Sequence, residues 1–341
     1  MFSIFHHSSS AKTSTHIGYS LMACLLTALL ISAAARATEN GGSVYPIGAE
    51  TVLQGMMPGP HETGLYTFHL VYTANELDEG NGKPYPFDFK LRVFANAAKF
   101  EHNWGIPVFG GKWASTIGIP FLYEQLRVPT GPTTTEKYTK FGLGNVEVIP
   151  FGVTYNKGNW HWFYQGDFFP PGAPYTRGDT LNIGQHHLAA GPTGAFTYLA
   201  PKAAYEVSSK VDYIFNFKDG ATEYRGGNEL TWEYTAMHAV SKKAAAGING
   251  YLYQQTTKDQ LNGITVMNVD GIATNGFRGR DLAVGPEFRY FFGEHKAFAF
   301  KYTRDTLVQN KPRGNSFWFQ LGIPLNFGKR EQALSHPQPD Q

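Results

Sequence analysis

Tyr205-Glu206-Val207-Ser208-Ser209-Lys210-Val211-Asp212-Tyr213-Ile214-Phe215-Asn216-Phe217 is the stretch that decides the fold. Tyr205, Val207, Val211, Tyr213, Phe215 and Phe217 fall on one side, and Glu206, Ser208, Lys210, Asp212 and Asn216 on the other; only Ser209 and Ile214 break the alternation. Successive side chains of a strand point to opposite faces, so this is a strand with one oily and one charged face. A helix would scatter the same residues around its circumference. The charged face needs water, and the other is aromatic along its length. A strand standing between lipid and a polar lumen satisfies both demands.

The same alternation recurs on either side. Tyr66, Phe68, Leu70 and Tyr72 alternate with Thr67, His69 and Thr73, and Phe89, Leu91 and Val93 alternate with Lys90 and Arg92. Trp113, Ile117, Ile119, Phe121 and Tyr123 share a face, as do Ile149, Phe151, Val153 and Tyr155. Trp160, Trp162 and Tyr164 alternate with His161, Phe163 and Gln165; Leu230, Trp232 and Tyr234 with Glu229, Thr231 and Glu233. Leu282 to Phe292, Phe298 to Tyr302 and Phe317 to Phe327 complete the series. With two weaker segments near 188–199 and 243–255 the number is about twelve, each near the ten or so residues a tilted strand needs to cross a bilayer. Short connections are expected at 156–159, 201–202, 241–243 and 293–296, and long ones near 73–86, 125–142, 167–187, 218–227, 256–280 and 304–314. The connection near 99–111 is longer than its alternation partners. Short turns on one side and long loops on the other, with an even strand number that leaves no open edge in lipid, predict an all-β transmembrane antiparallel up-and-down barrel of twelve strands over 64–327.

Composition agrees. Charged residues are 16% against roughly 25% in soluble proteins, aromatics are 15%, and glycines number 38. Mean hydropathy is nonetheless −0.30. A net charge of +2 implies no nucleic-acid partner. The apolar run Leu21–Ala35, ending in Ala35-Arg36-Ala37, predicts a signal peptide over 1–37, cleaved before Thr38. The only cysteine, Cys24, lies within it, so the mature chain is expected to hold neither disulfide nor thiolate metal site. Export plus barrel predicts the bacterial outer membrane, with its lipids, lipopolysaccharide and barrel-assembly machinery as partners. The polar tail 328–341 departs from the usual assembly signal, which ends on the terminal aromatic.

Several short stretches carry a family resemblance. They are Glu39-Asn40-Gly41 with Tyr45-Pro46-Ile47-Gly48, Gly142-Leu143-Gly144-Asn145-Val146 with Pro150-Phe151, and Ala221-Thr222-Glu223-Tyr224 with Gly227. Gly250-Tyr251-Leu252-Tyr253-Gln254-Gln255 and Gly285-Pro286 complete the set, which spans nearly the whole mature chain. In order and spacing the chain resembles the outer-membrane proteins of the MetA pathway of phenol degradation. That resemblance implies passive uptake of small hydrophobic, chiefly aromatic, solutes for a catabolic pathway, and it brings no catalytic motif.

No nucleophile elbow, zinc helix or phosphate loop is found, and neither enzyme activity, metal nor cofactor is expected. Two alternatives stay open: an outer-membrane lipid hydrolase, for which His161 is the tempting histidine, and a structural or adhesive barrel with a sealed lumen. Strand parity assigns His69, Lys90, Arg92, Glu147, His161, Asp167, Glu206, Lys210, Asp212, Glu229, Glu233, Glu287 and Arg289 to the lumen, with Lys90, Arg92 and Arg289 as a basic patch. Residues 38–63 precede the first strand, and 43–64 do not alternate. This is either a periplasmic leader or a plug in the lumen, with Tyr45, Met56 and Met57 as its contact residues; the plug is the favoured reading.

Overall fold

A computed structural model describes residues 42–131, 133–200, 204–269, 272–273, 275–293 and 296–325. The expected signal peptide, the tail 328–341, Phe327 and the turn 201–202 lie outside the described residues.

The strands are β1 Thr63–Leu77, β2 Lys90–Val108, β3 Gly111–Pro129, β4 in two pieces, Thr135–Leu143 and Glu147–Lys157, β5 Trp160–Phe169, and β6 Ala189–Leu199. There follow β7 Tyr205–Asn216, β8 Glu229–Ser241, β9 Ala244–Gln255, β10 Arg280–Gly293, β11 Lys296–Gln309 and β12 Pro312–Leu325. Each pairs antiparallel with the next, and β12 returns to β1 with Leu325 opposite Thr63. The sheet closes as a twelve-strand antiparallel barrel, as the alternation predicted. Among the described residues no helix is long and apolar enough to cross a membrane.

Three connections are tighter than the sequence suggested. β2 and β3 meet at Phe109-Gly110, with φ of 46° and 81°. Two positive φ values in succession make a two-residue turn that follows the strand twist. Pro107 lies just before it, beyond a register shift that starts at Asn103; that irregularity, and Pro's missing donor, made the stretch read as loop. β3 and β4 are joined by 130–134, and β11 and β12 by Asn310-Lys311 alone, where 125–142 and 304–314 were expected to be loops. The long loops are 78–89, 170–188, 217–228 and 256–279, all at one end.

β4 is the irregular wall element. Its first piece pairs with β3 only, from Pro129↔Thr135 to Phe121↔Leu143. The second pairs with β3 and β5. Beside the first piece lies the loop 170–188, which Lys140 Nζ reaches at Asp179 (2.5 Å) and Asn182 (3.0 Å).

Inside and outside follow the predicted parity on most strands. On β7, Glu206, Ser208, Lys210, Asp212 and Asn216 are buried, while Tyr205, Val207, Val211 and Phe215 are exposed outside. On β1 and the outer half of β2 the parity is inverted. Phe68 and Val93 face inward and are buried, whereas His69, Lys90 and Phe94 are exposed on the outer face. The rule that aromatic means lipid assumes a polar lumen everywhere, and here one side of the lumen is apolar.

Candidate functional site

The interior has two unlike halves, and the chain before β1 lies between them. Ser43 to Glu62 turns back into the lumen. Tyr45, Ala49 and Thr51 are buried there, at 2%, 3% and 0% exposure. A polar wall on β5–β11 fixes this segment through its backbone as well as its side chains. Gly48 N donates to Glu233 Oε1 (2.5 Å), and Lys301 Nζ donates to the carbonyls of Gly48 (3.0 Å) and Ala49 (2.6 Å). Arg289 reaches the Thr51 carbonyl at 3.3 Å, and Gly55 N donates to Thr197 Oγ1 at 2.8 Å. Irregular backbone inside a barrel must find such partners, since its amides and carbonyls have no ladder of their own.

Charge is matched in this wall. Arg289 pairs with Glu206 (2.5 Å) and Glu287 (2.6 Å). Lys210 lies 3.2 Å from Asp212 and donates to the Tyr45 hydroxyl (3.0 Å), which itself donates to Glu233 (2.9 Å). Burial, and after it the carboxylates of Asp212 and Glu233, push the Tyr45 hydroxyl well above its ordinary range, so it keeps its proton and remains a donor. Glu50 sits between Lys210 on β7 and Lys99 on β2 and bonds to both. Burial would raise the Glu50 carboxyl, but the two ammonium groups outweigh it and hold it well below the usual carboxylate range.

Opposite this wall lies a cavity of about 2170 Å³ that runs from Tyr45 and Glu50 up to the long loops. Phe68 and Leu70 on β1, Leu91 and Val93 on β2, and Leu122 and Leu126 on β3 line it. The cavity is roomier than a typical single-ligand pocket; its β1–β3 side is mainly apolar, with Lys99, Glu124 and Glu147 set into the wall.

Of the residues assigned to the lumen, Glu147, Asp167, Glu206, Lys210, Asp212, Glu229, Glu233, Glu287 and Arg289 are buried on the inner face. His161 shares the inner parity of Phe163 and Gln165, and its ring bonds to Asn156 at 2.5 Å. His69, Lys90 and Arg92 do not belong there. His69 bonds to Asn96 across the outer face (2.7 Å), and Arg92 to Asn75 (3.0 Å). The basic patch of Lys90, Arg92 and Arg289 therefore does not exist, because two of the three point away from the third. Met56 and Met57 are half-buried. Sequence reading passed over Glu50, Lys99, Lys301 and Glu124. Lys301 and Glu124 had the signal of inner parity, opposite Phe300 and Tyr123; Glu50 and Lys99 had none, since the first lies outside any strand and the second on an inverted one.

A family profile described as "Putative MetA-pathway of phenol degradation" matches residues 74–321. The chain belongs to this family. Among solved structures, this phenol-degradation family member is similar to the COG4313 outer membrane channel from Pseudomonas putida F1. The TM-score is 0.65 and the identity 14%, over 80% of this chain and 98% of that one. It also matches the CymD monoaromatic hydrocarbon channel over 86% of this chain and 98% of that one, at TM-score 0.37 and 10% identity, too distant to carry an argument. No curated protein is matched by sequence. Family and closed barrel place the protein in the bacterial outer membrane.

Proposed function

We propose that this channel admits small hydrophobic solutes, aromatic ones in particular, by diffusion, for use in a catabolic pathway. The observation that carries this reading is the apolar cavity, which starts among the outer loops and ends on a polar floor made by the segment before β1. An apolar solute is favoured in the upper part by about 25 cal/mol per Å² of apolar surface removed from water. It is stopped below by buried charges it cannot satisfy. Its exit is sideways, past the first piece of β4, whose far edge has a loop rather than a strand beside it. The segment before β1 acts as the plug, with Tyr45 and Glu50 as its main anchors and Met56 and Met57 as adaptable contacts.

The outer surface suggests how the barrel sits in its leaflet. Lys90, Arg127 and Lys137 are neighbours across β2, β3 and β4, all turned outward near the long-loop end. Arg127 is paired with Asp88 at 2.9 Å; lipopolysaccharide phosphates would relieve the repulsion that remains between the neighbouring cations. Insertion by the barrel-assembly machinery belongs to the same reading. The outward histidines His69, His102 and His238 bond to Asn96, Thr63 and the Ala204 carbonyl rather than to a serine, which favours passage over lipid hydrolysis.

Initial uptake of a labelled substituted phenol by intact cells with and without the protein, with a small sugar as control, tests the reading. Faster uptake of the phenol alone is the expected result. Faster uptake of both would mean a general pore, and no change in either would mean a sealed barrel; each overturns the proposal.

A further inference from the structure

The inner face of the barrel carries many carboxylates, and among the described residues all but one have partners in the protein. Glu147 and Glu101 have Lys99, Glu206 and Glu287 have Arg289, and Asp212 has Lys210. Asp167 accepts from Gln165 and Thr193, Glu229 from Ser43 and Asn216, and Glu233 from Tyr45. Asp281 and Asp305 both meet the Tyr251 hydroxyl, at 3.1 and 2.8 Å. Glu124 is the exception. Among the described residues nothing hydrogen-bonds or ion-pairs with its carboxyl.

Its surroundings explain the isolation. Glu124 lies on β3 between Leu122 and Leu126, on the face that lines the cavity. Across β2 its neighbour is Val93, which offers nothing polar from its side chain. Across β4 its register neighbour is the cation Lys140. The Lys140 ammonium is turned instead to Asp179 and Asn182 in the loop 170–188, at 2.5 and 3.0 Å. The cation that lies beside Glu124 in register is thus engaged elsewhere, and the carboxyl is left facing an apolar space.

A carboxyl so placed is costly. Half-buried on the cavity wall and without a protein partner, it keeps only part of the solvation a carboxyl has in water. A site of this kind gains most from a guest that brings the missing donor. It discriminates strongly against a guest of the same shape that lacks one, since the polar group is then left unpaired.

We propose, building on the channel reading above, that Glu124 is the specificity-determining residue of the cavity. It accepts a hydrogen bond from the hydroxyl or amine head of a solute whose apolar body lies against Leu122, Leu126 and Val93. The chemical class is therefore narrower than hydrophobic: an aromatic or aliphatic body with one donor head. A plain hydrocarbon enters without this bond, and a solute with a carboxylate head is repelled by it.

Binding to the purified full-length barrel in detergent, followed through the fluorescence of Trp318 and the other tryptophans, tests this. The probes are para-chlorophenol and para-chlorotoluene, which differ by a hydroxyl in place of a methyl group. The wild-type protein is expected to bind the phenol about tenfold more tightly, an equilibrium factor of about 1.4 kcal/mol. Glu124→Leu should abolish that preference by weakening phenol binding while leaving chlorotoluene binding unchanged or tighter. Retained chlorotoluene binding also shows that the variant is folded. Glu124→Gln, which keeps an acceptor oxygen, should restore most of the preference. Equal phenol binding by wild type and Glu124→Leu would overturn the role of Glu124 while leaving the channel reading standing. Failure of the wild type to bind either probe would overturn both.

Discussion

Glu50 owes its two ammonium partners to the way the chain doubles back before β1. Its carboxyl is held low in the folded protein by Lys210 and Lys99 against the opposing effect of burial. The stability this contributes is present in full above the ordinary glutamate value of 4.5 and is lost as pH falls toward the folded value. Glu50→Gln removes the charge and keeps the shape; leaving buried ammonium groups short of a counter-charge costs about 3 kcal/mol. The expected outcome is a stability gap between wild type and variant that is constant from about pH 8 to 5 and narrows in stronger acid. Thermal unfolding of both proteins across that range checks it. Phe68 and His69 test the parity of β1. A charge facing lipid near the bilayer midplane costs about 2–4 kcal/mol, so His69→Arg should lower stability or yield of the folded barrel. If His69 faced the lumen, the same change would be tolerated. The sequence could not supply this orientation. Alternation fixes which residues share a face, but which face is inside depends on what fills the lumen, and that is contributed by distant strands.

At the scale of elements, the segment before β1 and the β2–β3 hairpin are the two places where local sequence said least. The segment has no period because its partners are not in a sheet: they lie on β5 to β11, and Lys301 stands about 250 positions along the chain from Gly48. Gly55 shows how closely it is seated. A Cβ there would lie 2.3 Å from the backbone nitrogen of Thr197 and 2.4 Å from the carbonyl oxygen of His161. Gly55→Val is expected to lift the segment from the wall while the strands remain paired. Limited proteolysis would show new cleavage within 42–62 at unchanged barrel content. The hairpin was obscured by Trp104-Gly105-Ile106-Pro107, which reads as a break, whereas the turn that matters is the Phe109-Gly110 pair beyond it. Gly110→Val forces a β-branched side chain into positive φ and should cost about 1–2 kcal/mol, read as a lower unfolding temperature.

For the whole molecule, strand count, closure and membrane location were legible because they rest on a period-two pattern that each strand carries by itself. The two-sided lumen was not, since it arises only when β1–β3 meet β5–β11 across the barrel. The division predicts different consequences for its two sides. Deleting residues 42–62 should leave the strand ladder closed and raise single-channel conductance severalfold in planar bilayers, because the polar floor loses its obstruction. Replacing Leu91 and Leu122 together by Ser should leave conductance nearly unchanged and slow uptake of apolar solutes.

The position of the segment also constrains the order of assembly. β1 begins at Thr63, directly opposite Leu325, at the end of the barrel where the turns are short. A segment tethered there can enter the finished cylinder at the short-turn end, with no need to pass through the wall. Barrel closure and seating of the segment are therefore predicted to be separable steps, with the segment seated last. Refolding into detergent should then show two kinetic phases, a slower unimolecular one following closure, and only the slower phase should disappear when the segment is removed.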